Sequence, residues 1–198
     1  MPVRTVLKAA VPALVALAVA GCVSIGGGKI PDTLVTLTPA ASAPAGALLT
    51  ASADSAIIVF DPETDRRLSV QRIAVQVDDA NVAYLEEALW IERPARLMRG
   101  LLAETIRARG TRLVFENADS AATGRSRLAG RLLDMGYDAR AGAAVVRYDG
   151  VLETAGSGIS TRRFEARVPT ASADPAVIGP ALNQAANDVA QQVADWVG

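Results

Sequence analysis

Three consecutive stretches constrain the fold of this chain more than any other feature. Leu128 to Ala139, Ala143 to Thr154 and Ser160 to Val168 each read as a strand, and short turn signals separate them: Arg140-Ala141-Gly142 and Gly156-Ser157-Gly158. Joins of that length cannot carry a crossover to a parallel neighbour, so each strand must turn back on the one before it, as an antiparallel meander. In the middle strand Val146, Tyr148 and Leu152 share a face; in the last, Phe164, Ala166 and Val168 face one way and Arg163, Glu165 and Arg167 the other. A sheet that is apolar on one face needs a second layer to cover it.

Two helices supply that layer. The first is expected from Pro94, a favourable first-turn residue, to Arg109, with Gly110 as its stop. Leu97, Leu101, Leu102, Thr105 and Ile106 form its apolar stripe; Arg96, Arg99, Glu104 and Arg107 lie mostly off it. Gly100 marks either close packing or nothing in particular. The second helix follows the cap pair Asp174-Pro175 and carries Ile178, Leu182, Ala185, Val189, Val193 and Trp196 at helical spacing. Pro180 requires that the regular helix start there or kink there.

Upstream, Leu34 to Pro39 reads as a short strand and Ala40 to Ser55 as a surface loop. Ala56 to Phe60 reads as a buried strand. Gln71 to Val77 alternates, with Ile73, Val75 and Val77 on one face, and Val82 to Leu85 reads as a short partner. Arg112 to Phe115 follows the first helix as a strand, and Asn117 to Ser126 is a polar loop. The fold class is α+β: a mixed, largely antiparallel sheet with two helices packed on one face.

Composition removes much chemistry. The 198 residues include no His and one Cys, which excludes Ser-His-Asp and Cys-His catalysis, His metal sites and an intrachain disulfide. A net charge of −1 lacks the basic footprint of a nucleic-acid binder. No GxxxxGK[ST] loop is present, so the chain carries no nucleotide-hydrolysing site of that kind.

The start of the chain reads as an export signal. Arg4 and Lys8 precede an apolar run from Ala9 to Ala20, too short for a span of about 20 residues. The run ends in Val19-Ala20-Gly21-Cys22, which resembles the lipobox of bacterial lipoproteins. That resemblance implies cleavage between Gly21 and Cys22, and a diacylglycerol thioether with an N-acyl chain, such as palmitate, on Cys22. Removing residues 1–21 leaves a net charge of −3. Val23, rather than Asp, follows the cysteine, a pattern that resembles the address for the outer membrane. Residues 22–33, with Gly26-Gly27-Gly28, read as a lipidated, flexible tether, and 34–198 as the domain.

Other candidate groups have plain readings. Asp134 and Asp138 sit four apart on a strand, roughly 13 Å, too far to share a proton, and read as solvated edge charges. Asp61, Glu63 and Asp65 mimic half a calcium loop but lack its glycine and closing glutamate. The helix arginines Arg96, Arg99 and Arg107 read as a solvated face. Trp90 reads either as a lid on the core or, with Arg93, as a partner-docking pair: the ring supplies area and the guanidinium pairs with a carboxylate. No cofactor or metal site is expected.

The order of pieces is itself informative. A lipobox, Leu34-Val35-Thr36-Leu37-Thr38-Pro39, Arg72-Ile73-Ala74-Val75, Ala83-Tyr84-Leu85 and Trp90-Ile91-Glu92-Arg93-Pro94 precede a helix. Then come Asp134-Met135-Gly136-Tyr137-Asp138, Val145-Val146-Arg147-Tyr148 and a closing helix from Ala181-Leu182-Asn183-Gln184-Ala185-Ala186-Asn187-Asp188 to Trp196. This resembles the ABC-type transport auxiliary lipoproteins, partners of MCE-type lipid transport systems, over nearly the whole mature chain. The resemblance implies a non-enzymatic accessory of a Gram-negative envelope, anchored by lipid in the outer membrane and facing the periplasm. Its implied partners are an MCE-domain protein and, through it, an ABC permease and ATPase that move phospholipid or another apolar molecule; it leaves room for an oligomer. A structural or pilot-type assembly lipoprotein is the competing reading, and gene neighbours separate the two.

Overall fold

The computed structural model describes residues 31–116, 126–154 and 156–198. The lipobox with Cys22 and most of the expected tether lie outside these, as do residues 117–125 of the expected polar loop. In chain order the elements are β1 (Ile57–Val59), β2 (Glu63–Thr64), β3 (Arg72–Gln76), β4 (Val82–Leu89), α1 (Pro94–Ala108), β5 (Val114–Glu116), β6 (Ser126–Asp138), β7 (Ala143–Thr154), β8 (Gly158–Pro169) and α2 (Pro175–Val197). The fold is α+β, with a mixed eight-stranded sheet and two helices.

β6 organises the sheet. One edge of it takes β1, β2 and β3 in succession, all parallel; the other pairs with β7 along its whole length, antiparallel. β8 pairs with β7 without interruption from Ala143–Pro169 to Thr154–Gly158. The expected meander is therefore present, with both turns where glycine permits a positive φ, at Gly142 and at Gly156 and Gly158.

The inward face of the meander is Leu128, Leu132, Val146, Tyr148, Leu152 and Phe164, and these join Met98, Leu102 and Ile106 of α1 and Leu182, Val189 and Val193 of α2 in one core. Full burial of each such side chain contributes about 1.5–3 kcal/mol. Tyr148 keeps its hydroxyl satisfied by donating to the Ala129 carbonyl at 2.7 Å.

α1 starts at Pro94 and runs to Ala108; Arg109 caps it and Gly110, at φ +69°, is the left-handed stop a side chain would resist. A Cβ at Gly100 would touch nothing within 4 Å, so close packing is not its reason. α2 starts at Pro175, with the Asp174 carboxylate accepting from the Ala176 amide at 2.8 Å. It runs through Pro180 rather than starting there. Pro180 and Ala176 are both exposed, so the carbonyl that loses its donor is open to water.

Two strands differ from expectation. β3 ends at Gln76, and a register shift between Arg72 and Ala74 leaves Ile73 and Ala74 both buried while Val77 is exposed. Ile73 and Val75 share the core-facing side as expected, and Ala74 is buried on the opposite, groove-facing side. Only Val77, beyond the end of the strand, leaves the expected face, and the extra residues of the bulge lie on β4. β4 is longer than expected because its own extra residues, including Glu87 at φ +52°, are accommodated within that bulge. Leu34 to Pro39 forms a single parallel bridge, Val35 to Trp90, rather than a strand. Past that bridge it runs along α2: the Asn183 Oδ1 accepts from the Thr38 amide at 2.8 Å, and Asn187 Oδ1 from the Ala40 amide at 2.7 Å.

Candidate functional site

The expected docking pair sits where β4 passes into α1. Trp90 is framed by backbone: its amide donates to the Gln71 carbonyl at 2.7 Å, and Gln71 Nε2 donates to its carbonyl at 3.3 Å. Val35 bridges it from the other side. The indole is fully buried in the core, and its Nε1 has no hydrogen-bond partner among the described residues. Trp90 is thus a lid over the core, and the reading of its ring as contact area for a partner is corrected: no indole surface reaches solvent.

Arg93, three residues on, is exposed. It occupies the N-cap of α1, where an arginine offers no side-chain acceptor. It lines an open cleft of about 520 Å³ with Asp61, Thr64, Ser69, Glu92 and Arg96. Its neighbours are engaged: Arg96 faces Glu92 at 3.5 Å, and Arg99 bridges Asp61 at 2.7 Å and Glu116 at 3.2 Å. Arg93 has no ion pair among the described residues. The solvated arginine face expected on α1 is therefore partly a set of ion pairs to the sheet.

A second site was missed by sequence reasoning. The sheet face away from the helices carries a groove of about 460 Å³ with a floor of Ala74, Gly136 and Val145. Asp134 and Asp138 line it, but not as solvated edge charges. β6 lies in the interior of the sheet, and their side chains keep only 21% and 16% of their exposure. Asp134 is held between Arg67 at 2.7 Å and Arg147 at 2.8 Å; Asp138 lies between Arg140 and Arg167. Arg67 also donates to the carbonyl of Leu133, the residue at the β6 register shift, and so closes that bulge. Burial would lower the Arg67 pKa, but its bond to Asp65 and the charge of Asp134 outweigh that and raise it.

The network continues outward. Arg147 Nε and Arg167 Nε each reach Glu165 at 2.5 Å, and Arg163 holds Asp149 through two bonds of 2.6 and 2.7 Å. These bonds hold the carboxyls of Glu165 and Asp149 below their ordinary range. Every carboxylate that lines the groove among the described residues faces a guanidinium. The acidic trio near Pro62 is dispersed likewise: Asp61 turns to Arg99 and Asp65 to Arg67. No group of three or more metal-ligating side chains occurs among the described residues, and no helix among them is long and apolar enough to cross a membrane.

Residues 36–194 match the model of a family described as the ABC-type transport auxiliary lipoprotein component. The chain belongs to that family. The match takes in the last residues of the Val35 bridge segment, the whole sheet and nearly all of α2, so the family fold and the two candidate surfaces coincide in one domain. A protein from Xanthomonas campestris has a crystal structure with a TM-score of 0.69 at 18% identity, over 83% of this chain and 93% of that one. A second crystal structure, of an uncharacterized protein, gives 0.63 at 13% identity over 73% and 93%. At such identities these likenesses concern the fold. No curated protein sequence matches this transport auxiliary lipoprotein.

Proposed function

We propose that this auxiliary lipoprotein is anchored in the outer membrane through lipid on Cys22 and works in the periplasm by docking an MCE-domain protein, not by catalysis. Through that protein it serves an ABC permease and ATPase that move phospholipid or another apolar molecule. Family membership supports the transport role. The observation that carries the docking mode is Arg93: an exposed guanidinium, without an ion pair among the described residues, lining an open cleft at the N-cap of α1. With Trp90 closed in the core, Arg93 carries the contact and Trp90 holds its position.

A guanidinium so placed matches a carboxylate on a partner, and bidentate pairing gives it orientation as well as attraction. The Arg93→Glu variant tests this. A surface charge reversal spares the fold and repels an acidic partner. Capture of the MCE-domain protein is expected to fall at least tenfold, with barrier sensitivity of the outer membrane rising and the melting temperature unchanged. Capture at the wild-type level by a folded variant moves the docking face elsewhere.

A further inference from the structure

β8 ends the sheet. Its inner edge pairs with β7 over all twelve residues, and among the described residues no strand pairs with its outer edge. A long, unbulged edge is unusual to leave open, because its unpaired amides and carbonyls are a template for another strand. Among the described residues that edge takes a single weak bond: Gln192 Nε2 donates to the Glu165 carbonyl at 3.4 Å. That bond identifies Glu165, and with it Arg163, Thr161, Ile159 and Arg167, as the residues whose backbone groups point outward. The Thr170 amide, one of the alternate set, donates inward to Gly142.

The charges on the outer face then select a partner. Two cross-strand rows run out to this edge. One is Asp134, Arg147, Glu165; the next is Arg131, Asp149, Arg163. Each alternates in sign, and they end on opposite charges two residues apart. In an antiparallel self-pairing, side chains stay on matching faces only if the two-fold axis passes through a residue. Two such axes keep nearly the full strand paired, at Arg163 and at Phe164. The axis at Arg163 sets two arginines against each other. The axis at Phe164 sets Arg163 against Glu165 of the partner subunit, in both directions, and Thr161 against Arg167 of the partner subunit.

We propose that the β8 edges of two copies pair antiparallel about Phe164, joining two sheets into one. The row across the junction then reads Asp134, Arg147, Glu165, and from the second copy Arg163, Asp149, Arg131, with the sign alternating at every step. Opposite charges directly across a strand pair are favourable and like charges are not, so the pattern favours this register over its neighbour. Ile159, 72% exposed in one copy, comes to lie against Pro169 of the partner subunit. The inference stands apart from the docking of an MCE-domain protein, because the β8 edge and the Arg93 cleft share no residue.

Disulfide trapping in the full chain, in membranes, tests it. Residues opposite each other in a hydrogen-bonded antiparallel pair have Cα atoms about 5.5 Å apart, within disulfide range. The Thr161→Cys, Arg167→Cys double variant is expected to form a dimer under mild oxidation, at least tenfold more than either single variant or the wild type. The wild-type control also separates any dimer made through Cys22. Adding Arg163→Glu is expected to cut the trapped dimer at least tenfold while the variant stays folded by circular dichroism, its melting temperature falling only by the loss of the Asp149 pair within one copy. No dimer, equal dimer in the single variants, or insensitivity to Arg163→Glu overturns the proposal. So does preferential trapping by Arg163→Cys with Arg167→Cys, which reports an axis at Glu165.

Discussion

Single residues set the tolerances of this fold. A Cβ on Gly136 would lie well inside contact with the Ala74 carbonyl oxygen, where β6 and β3 run side by side. Backbone cannot yield as a flexible side chain does, so Gly136→Ala is expected to destabilise by about 3 kcal/mol in denaturant unfolding. Gly100→Ala, with open space around it, is expected to be neutral or stabilising by up to about 1 kcal/mol. The charge network predicts an acid response. Glu165 and Asp149 have folded pKa values below their ordinary 4.5 and 3.8, so their contribution is full above those values and is lost as pH falls below them. The melting temperature is therefore expected to drop as pH goes from about 4.5 downward, less steeply in Glu165→Gln. An equal slope in that variant assigns the acid response to other groups. None of this was legible from Asp134 and Asp138 alone: Arg67, a partner of Asp134, lies on a distant loop, and the parallel addition of β2 to β6 brings it near. Trp90 was legible as a lid, since a large apolar ring just before a helix belongs to its core side.

Elements were more legible than their joints. The bounds of α1 followed from Pro94 and Gly110, and those of β7 from its flanking turns, because a helix stop and a tight turn are local chemistry. The β3–β4 bulge and the β6 register shift were not, since each depends on what a neighbouring strand presents. The apolar stripe of α1 predicts that Leu101→Asp, which buries an unpaired carboxylate, costs several kcal/mol. A melting temperature unmoved by it would place that stripe away from the core. The segment from Val35 to Ala43 is a strap, not a free linker. Besides the two asparagines, Glu104 Oε1 accepts from the Ala43 amide at 2.8 Å. The double variant Asn183→Ala, Asn187→Ala is expected to cost about 1–2 kcal/mol and to speed amide exchange over residues 36–43. Asparagines four apart on a helix were the available signal, but nothing in the sequence said what they would hold.

At the scale of the whole molecule, the α+β layer pair could be read because alternation and helical spacing each persisted over long stretches. The parallel placement of β1, β2 and β3 on β6 could not, since those strands are short and their partners far along the chain. The strap also bears on function. If Cys22 is the lipidated residue, the chain between it and Val35 spans at most about 45 Å fully extended, which keeps the domain near the anchoring membrane. The most direct test is in-envelope crosslinking of the lipidated wild-type protein, followed by purification and mass spectrometry. An MCE-domain protein is expected at high enrichment, its ABC permease and ATPase more weakly, and Arg93→Glu is expected to deplete all three together. Recovery of an outer-membrane channel or assembly machine in their place, with no MCE-domain protein, would contradict this and assign the chain to the pilot-type lipoproteins.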